Sequence, residues 1–164
     1  YIIWIDADMI FLKYFDFNLI KKLINKDNMM SYLGRSQSEG HSECGFLIFN
    51  KKIKILKKYF NEMNELYLSK NIYKEKEWHD SYIWDLIRIK YENEYNIKNF
   101  NISKHFYKHL KDKNINKNEF MSKNVLLKIP LNKYLLHLKG TKNKENKKIT
   151  TQKEDKIYLF DIDL

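Results

Sequence analysis

The chain has 164 residues, of which 43% are hydrophobic and 15% aromatic, a composition typical of a folded globular domain and not of a disordered chain. Its net charge of +10 comes mostly from lysine, since Arg35 and Arg88 are the only arginines, and we expect no nucleic-acid partner because base-reading proteins rely on arginine. No apolar run reaches the roughly 18 residues of a transmembrane segment, and a single cysteine, Cys44, rules out an internal disulfide framework, so we expect a cytoplasmic protein.

The chain opens with an apolar run over residues 1–5 that ends at Asp6 and Asp8. Its β-branched and aromatic residues, with little alternation, predict a strand buried on both faces of a parallel sheet. Ligands bind at the carboxyl ends of such strands, and the two-residue period of a strand points both carboxylates the same way. Two carboxylates about 4 Å apart repel by roughly 4 kcal/mol at an effective dielectric near 20. The pair therefore favours a shared proton or a divalent cation, although turns alone also favour aspartate.

An apolar strand that ends in Asp-x-Asp resembles the metal and nucleotide-sugar motif of the GT-A glycosyltransferases. The resemblance implies that Asp6 and Asp8 hold Mn²⁺ or Mg²⁺ against the diphosphate of a nucleotide-sugar donor, with Trp4 and Asp6 at the donor. In this fold, earlier strands bind the nucleotide, and the chain opens directly in the Asp-x-Asp strand. We therefore expect a fragment, residues 1–164, that forms a single partial domain without its N-terminal nucleotide-binding strands and that is of reduced activity or inactive by itself.

A capped helix and two strands are predicted next. Asp16 is a capping residue before a helical apolar pattern, and residues 29–33 and 43–50 are predicted strands. The second of these strands resembles the one in GT-A enzymes in which a small residue lets the sugar approach the backbone and an asparagine follows. This resemblance implies that Gly45 and Asn50 face the sugar and that Glu43 contacts the acceptor. The alternative is a glycine that allows close strand packing and an asparagine in a turn.

Two amphipathic helices follow, over residues 51–69 and from residue 78 onward. The second begins with Trp78, His79 and Asp80, which resemble the GT-A segment where an acid opens a helix beside the acceptor. The resemblance implies that Asp80 is the acceptor contact or general base and that Trp78 and His79 contact the substrate. The alternative is ordinary capping, because an acid in a first helical turn stabilises a helix by roughly 0.3–1 kcal/mol.

A third motif lies near the end of the chain, where His137, Gly140 and Lys142 resemble the His-x-x-Gly-x-x-Lys motif of metal-dependent, retaining-type GT-A enzymes. The resemblance implies a third metal ligand at His137, a close backbone approach to the diphosphate at Gly140 and a phosphate contact at Lys142. The lysine stands one residue early, so Lys139 and Lys144 are rivals for its role.

The end of the chain carries a polar run over residues 143–155, which is typical of a mobile tail, and a second Asp-x-Asp at Asp161 and Asp163. Haloacid-dehalogenase-like phosphatases also place Asp-x-Asp after an apolar strand, with the first acid as nucleophile. Neither copy here is followed by the Thr or Val that those enzymes carry two residues later.

The order of these motifs predicts an α/β fold, with a mixed, mostly parallel sheet flanked by helices, that forms the catalytic half of a Rossmann-like GT-A domain. The predicted enzyme transfers a sugar from a nucleotide-diphosphate sugar to an unknown sugar, protein or lipid acceptor. Asp80 and Asn50 are the predicted catalytic residues. The alternatives are a haloacid-dehalogenase-like phosphatase and a non-catalytic basic module that binds nucleic acid or other polyanions.

Overall fold

A four-stranded sheet forms the centre of the fold. The computed structural model describes residues 1–36, 41–122, 125–137, 161, 162 and 164, with the backbone alone for residues 127, 136 and 137. The strands lie in the order β1 (Ile2–Ile5), β4 (Glu43–Phe49), β3 (Met30–Leu33) and β5 (Phe100–Asn101).

The strand directions confirm a mixed sheet but contradict the expectation that it is mostly parallel. β4 runs antiparallel to both β1 and β3, and only β3 and β5 are parallel. The reason lies in the length of the connection from β3 to β4, since β3 ends at Leu33 and β4 begins at Glu43. A parallel neighbour needs a longer crossover, usually with a helix, so this short connection goes with a reversal of the chain.

Helices cover both faces of the sheet, as the α/β prediction required. On one face, α2 (Leu56–Leu68) and α3 (Asp80–Tyr95) pack against Leu47 and Phe49 of β4. On the other face, Phe46 and Ile48 pack against four shorter helices. These are α1 (Phe17–Leu23), α4 (Ile102–Lys108), α5 (Lys117–Phe120) and α6 (Val125–Lys128). None of the described helices combines the length and apolar character that crossing a membrane requires.

The helix starts have identifiable local causes. The Asp16 side chain accepts a hydrogen bond from the Leu19 backbone N–H at 2.8 Å, which confirms it as the cap of α1. α2 begins later than predicted because the oxygens of Asn50 hold the preceding residues in turns. Its side-chain oxygen accepts from the Lys52 N–H at 3.2 Å, and its carbonyl accepts from the Ile53 N–H at 3.0 Å.

The burial of β1 is opposite to the expectation of a strand covered on both faces. Ile2 and Trp4 are each 45% exposed, and Ile3 is 36% exposed. β1 is an edge strand of the described sheet, with β4 as its neighbour on one side. An apolar run therefore identified a strand here without identifying its depth in the sheet.

A second, smaller sheet returns a late segment of the chain to the Asp-x-Asp motif. Its strands β2 (Met9–Phe11) and β6 (Leu135–His137) are antiparallel, with Met9 opposite His137. Two 3₁₀ turns, Asn71–Lys74 and Pro130–Lys133, precede α3 and β6 respectively.

Candidate functional site

Asp6 lies where β1 meets the start of β4. Its backbone N–H donates to the Gly45 carbonyl at 3.0 Å, and its own carbonyl accepts from the Met9 N–H at 3.1 Å. Because β1 ends at Ile5, Asp6 and Asp8 occupy a turn between β1 and β2. The two-residue strand period that was expected to align their carboxylates therefore does not apply to them.

Asp6, Cys44 and Asp80 form a group that we call the carboxylate–thiol cluster. One carboxylate oxygen from each aspartate and the Cys44 Sγ all lie within 4.8 Å of one another. Three elements supply these residues: the turn after β1, the second residue of β4 and the first residue of α3. The Asp80 Oδ1 also accepts from the Ser81 N–H at 2.9 Å, so its carboxylate is held at the helix start.

The environment of Cys44 keeps its thiol protonated. Burial raises the pKa of the Cys44 thiol to about 12, and the negative charge of Asp80, a hydrogen bond to Asp80 and the charge of Asp6 add to this shift. A thiol with this pKa carries a proton at neutral pH and is a poor nucleophile. Cys44 therefore acts as a hydrogen-bond donor to the Asp80 carboxylate.

His41, Glu77 and His79 form a second group, the imidazole–carboxylate cluster. One ligand atom from each residue lies within 4.8 Å of the others. The Glu77 Oε2 is 2.6 Å from His79 Nε2 and 3.3 Å from His41 Nε2. Hydrogen bonds from His79 and then from His41 lower the pKa of the Glu77 carboxyl. Because His79 is the N-cap of α3 and Asp80 is its first residue, both clusters include a residue at the start of this helix.

Buried polar contacts join the start of β4 to α3. The Asp85 Oδ2 accepts from the Ser42 N–H at 2.7 Å, and its Oδ1 accepts from Arg88 at 2.9 Å. Arg88 also reaches Glu92 at 3.0 Å and lies 4.1 Å from the centroid of the Tyr32 ring. The Ser42 contact ties the residue before β4 to the helix that carries Asp80, and the Arg88 contacts hold the Asp85 carboxylate in place.

Two tryptophans lie near the site residues in sequence. Trp78 precedes α3, is 60% exposed and meets Tyr73 edge to face at a centroid distance of 5.2 Å. Trp4 on β1 packs edge-on against Trp84 of α3 at 5.8 Å. The exposed ring of Trp78 offers a surface on which a sugar can stack, whereas the ring of Trp4 takes part in the contact between the sheet and α3.

The structure does not bring Asn50 and Glu43 to the clusters. Asn50 is buried at the far end of β4, five residues and roughly 17 Å of strand from Gly45. Its amide donates to the Lys26 carbonyl at 2.8 Å, so the alternative of an asparagine in a turn describes it. The Glu43 side chain is 1% exposed, accepts from the Val125 N–H at 3.1 Å and lies 3.6 Å from Arg35.

The predicted ligand set of Asp6, Asp8 and His137 remains a prediction. The β2–β6 ladder places the His137 backbone opposite Met9, the residue after Asp8, but its side chain lies outside the described atoms. Among the described residues, Asp8 belongs to neither cluster.

Several other predicted residues also lie outside the described residues. They are the polar run 143–155, Lys139, Gly140, Lys142, Lys144 and Asp163. Asp161, from the second Asp-x-Asp, is exposed and lies 3.9 Å from Lys113.

Sequence reasoning missed His41, Cys44 and Glu77 as site residues. The only local signal was the Glu-x-His spacing of residues 77 and 79, which is common in polar loops. Cys44 and His41 carried no signal, because their role depends on the antiparallel pairing that sets the start of β4 beside Asp6 and on the packing of α3.

The carboxylate–thiol cluster has donors suited to a hard divalent cation. Around such an ion, two ligand oxygens lie between roughly 3 and 4.8 Å apart, and the oxygens of Asp6 and Asp80 lie within this limit. The same carboxylates are equally suited to accept a proton from a bound hydroxyl.

No protein-family model, curated protein or solved structure matches this chain.

Proposed function

We propose that this chain is the catalytic part of a GT-A-like glycosyltransferase that moves a sugar from a nucleotide-diphosphate sugar to an acceptor hydroxyl, with Mn²⁺ or Mg²⁺ as cofactor. The observation that carries the proposal is the meeting of Asp6 and Asp80. These two aspartates come from distant parts of the chain, and both were expected at the reaction centre.

In this proposal, Asp6, Asp8 and His137 hold the cation. A bound divalent cation supplies the positive charge that stabilises the leaving diphosphate. The pairing of β2 with β6 supports this ligand set, because it brings the His137 backbone beside the residue that follows Asp8. Gly140 and Lys142 are the proposed diphosphate contacts.

Asp80 is the proposed acceptor residue. Its position in the first turn of α3 keeps the carboxylate at the exposed mouth of the cluster, where an acceptor hydroxyl can donate to it. The protonated Cys44 thiol lies beside this carboxylate and can donate a hydrogen bond to it. Trp78, which is 60% exposed two residues earlier, provides an aromatic face for the sugar ring of the acceptor.

The test is calorimetric binding of nucleotide-diphosphate sugars to the chain, with Mn²⁺ and with a chelator. We expect affinity to depend on Mn²⁺ and to fall about 10- to 100-fold in Asp6→Asn, because the variant loses a charged ligand. Asp80→Asn should keep donor binding and lose about 100-fold or more of sugar transfer. Asp27→Asn, at an exposed residue, is the matched control for removal of one negative charge.

Equal weak binding with Mn²⁺ and with chelator would contradict the proposal, as would an Asp6→Asn variant that behaves like Asp27→Asn. Binding of polyanions that falls steeply with salt and ignores both substitutions would instead indicate a basic binding module.

A further inference from the structure

The imidazole–carboxylate cluster takes no part in the proposed sugar transfer, yet its chemistry is that of a metal site. It joins His41, just before β4, to Glu77 and His79 in the segment that enters α3. Their ligand atoms lie within 4.8 Å of one another, and the two imidazole rings have centroids 5.2 Å apart. Two imidazoles and one carboxylate, with a fourth position left open, form a common ligand set for zinc.

We propose that His41, Glu77 and His79 bind one transition-metal ion of the Zn²⁺ class, at a site separate from the Mn²⁺ or Mg²⁺ site of the proposed transferase. Imidazole ligands favour Zn²⁺, Co²⁺ and Ni²⁺ over Mg²⁺ and Ca²⁺, which prefer oxygen. The selectivity of this site therefore differs from that of the carboxylates at Asp6 and Asp8.

The present distances lie close to those that a metal requires. Ligand atoms lie roughly 3.3–3.6 Å apart around a tetrahedral Zn²⁺. The Glu77 Oε2 is already 3.3 Å from His41 Nε2, while its 2.6 Å contact with His79 Nε2 is a hydrogen bond that must lengthen. A shift of about 1 Å in the Glu77 side chain, which is 36% exposed, accomplishes this change.

The second ring nitrogen of His79 has a suitable partner for the metal-bound state. A histidine that binds metal through Nε2 carries its proton on Nδ1, and this proton needs an acceptor. The Ser81 Oγ lies 2.8 Å from Nδ1 and can accept it. The Tyr82 N–H, which now donates to Nδ1, also donates to the His79 carbonyl at 3.1 Å and so keeps a partner.

His41 is positioned by packing against α3. The Tyr82 ring meets the His41 ring edge to face at a centroid distance of 5.0 Å. The next residue, Ser42, is fixed by its hydrogen bond to the buried Asp85 carboxylate at 2.7 Å. A metal at this site would join the start of β4 to the start of α3 and so hold Cys44 next to Asp80.

Titration with Co²⁺ tests the site directly, because the visible absorption of bound Co²⁺ depends on its coordination number and on the type of ligand. We expect one equivalent of Co²⁺ to bind with a four- or five-coordinate spectrum and to be displaced by Zn²⁺. His41→Asn and Glu77→Gln should each weaken binding by about 100-fold or more. His79→Asn should do the same while preserving the helix cap, because asparagine is a preferred N-cap residue.

His109→Asn is the matched control, since His105 and His109 form the other close imidazole pair among the described residues, with ring centroids 5.0 Å apart. It should leave the four- or five-coordinate Co²⁺ spectrum unchanged. Circular dichroism without metal checks that each variant is folded, and Zn²⁺ should raise the melting temperature of the unsubstituted chain but not that of His41→Asn.

The proposal is overturned if His41→Asn and His79→Asn bind Co²⁺ as the unsubstituted chain does, or if His109→Asn abolishes the spectrum. No nucleotide sugar enters the assay, so failure of the transferase proposal leaves this result intact.

Discussion

β1 and β4 are neighbouring strands with similar sequences and different environments. Both are dense runs of β-branched and aromatic residues followed by a polar residue, Asp6 after β1 and Asn50 after β4. The side chains of Phe46 and Ile48 in β4 are fully buried, whereas Ile2 and Trp4 in β1 are 45% exposed. The difference follows from the order of the described strands, because β4 has a strand on each side and β1 is at the edge of these four.

The polar residues that follow the two strands also differ, in the groups that surround their side chains. Asp6 meets Cys44 and Asp80 in a cluster that can bind a cation or accept a proton. The Asn50 side chain donates a hydrogen bond to the Lys26 carbonyl and accepts one from the Lys52 N–H, so both polar atoms of its amide bind backbone groups. A polar residue after an apolar run is therefore an ambiguous functional signal, and its neighbours from other elements decide what it does.

The largest expected effect is a loss of stability, and it compares Ile48 with Ile3, which lies opposite it in the β1–β4 ladder. Ile48→Ala removes a 0% exposed side chain from the core and should reduce the free energy of unfolding by about 2–5 kcal/mol. Ile3→Ala, at a 36% exposed position, should cost about 1 kcal/mol. Urea denaturation of both variants measures the difference, and equal losses would show that β1 is as well covered as β4.

A second prediction concerns the thiol at the point where the two strands meet. With the pKa of Cys44 raised to about 12, its alkylation at pH 8 should be at least about 100-fold slower than in urea-unfolded chain. Asp80→Asn should accelerate the reaction, since it removes a negative charge that opposes thiolate formation. Iodoacetamide labelling followed by mass spectrometry gives the rates. Equal rates in folded and unfolded chain would exclude the predicted environment of Cys44.

The smallest expected effect is that of Asn50→Ala, which should change stability but, unlike Asp6→Asn, not nucleotide affinity. Asn50→Ala removes hydrogen bonds to Lys26 and Lys52 and should reduce the free energy of unfolding by about 1–2 kcal/mol. Its Mn²⁺-dependent nucleotide affinity should stay within about 2-fold of the unsubstituted chain, whereas Asp6→Asn loses affinity. Denaturation and calorimetry on the two variants provide the comparison, and a large loss of affinity in Asn50→Ala would restore Asn50 to the site.

The local elements were predictable because their causes are local. The spacing of apolar residues predicted α2 and α3, and the Asp16 side chain caps α1 as the sequence indicated. The strand patterns predicted where β1, β3 and β4 lie along the chain. They predicted neither the relative directions of these strands nor how deeply each is buried. Of the expected site residues, Asp6 and Asp80 meet, while Asn50 and Glu43 do not join them.

By itself, the sequence determined the helices α1, α2 and α3, the strands β1, β3 and β4, and the placing of Asp6 and Asp80 at element ends, because helical and strand periodicity and capping depend on neighbours in the chain. Only the tertiary structure decided that β1 lies at an edge, that Cys44 meets Asp6 and Asp80, and that His41 meets Glu77 and His79. These contacts join residues far apart in sequence. Strand pairing and helix packing set their distances, and neither leaves a periodic signal in the residues involved.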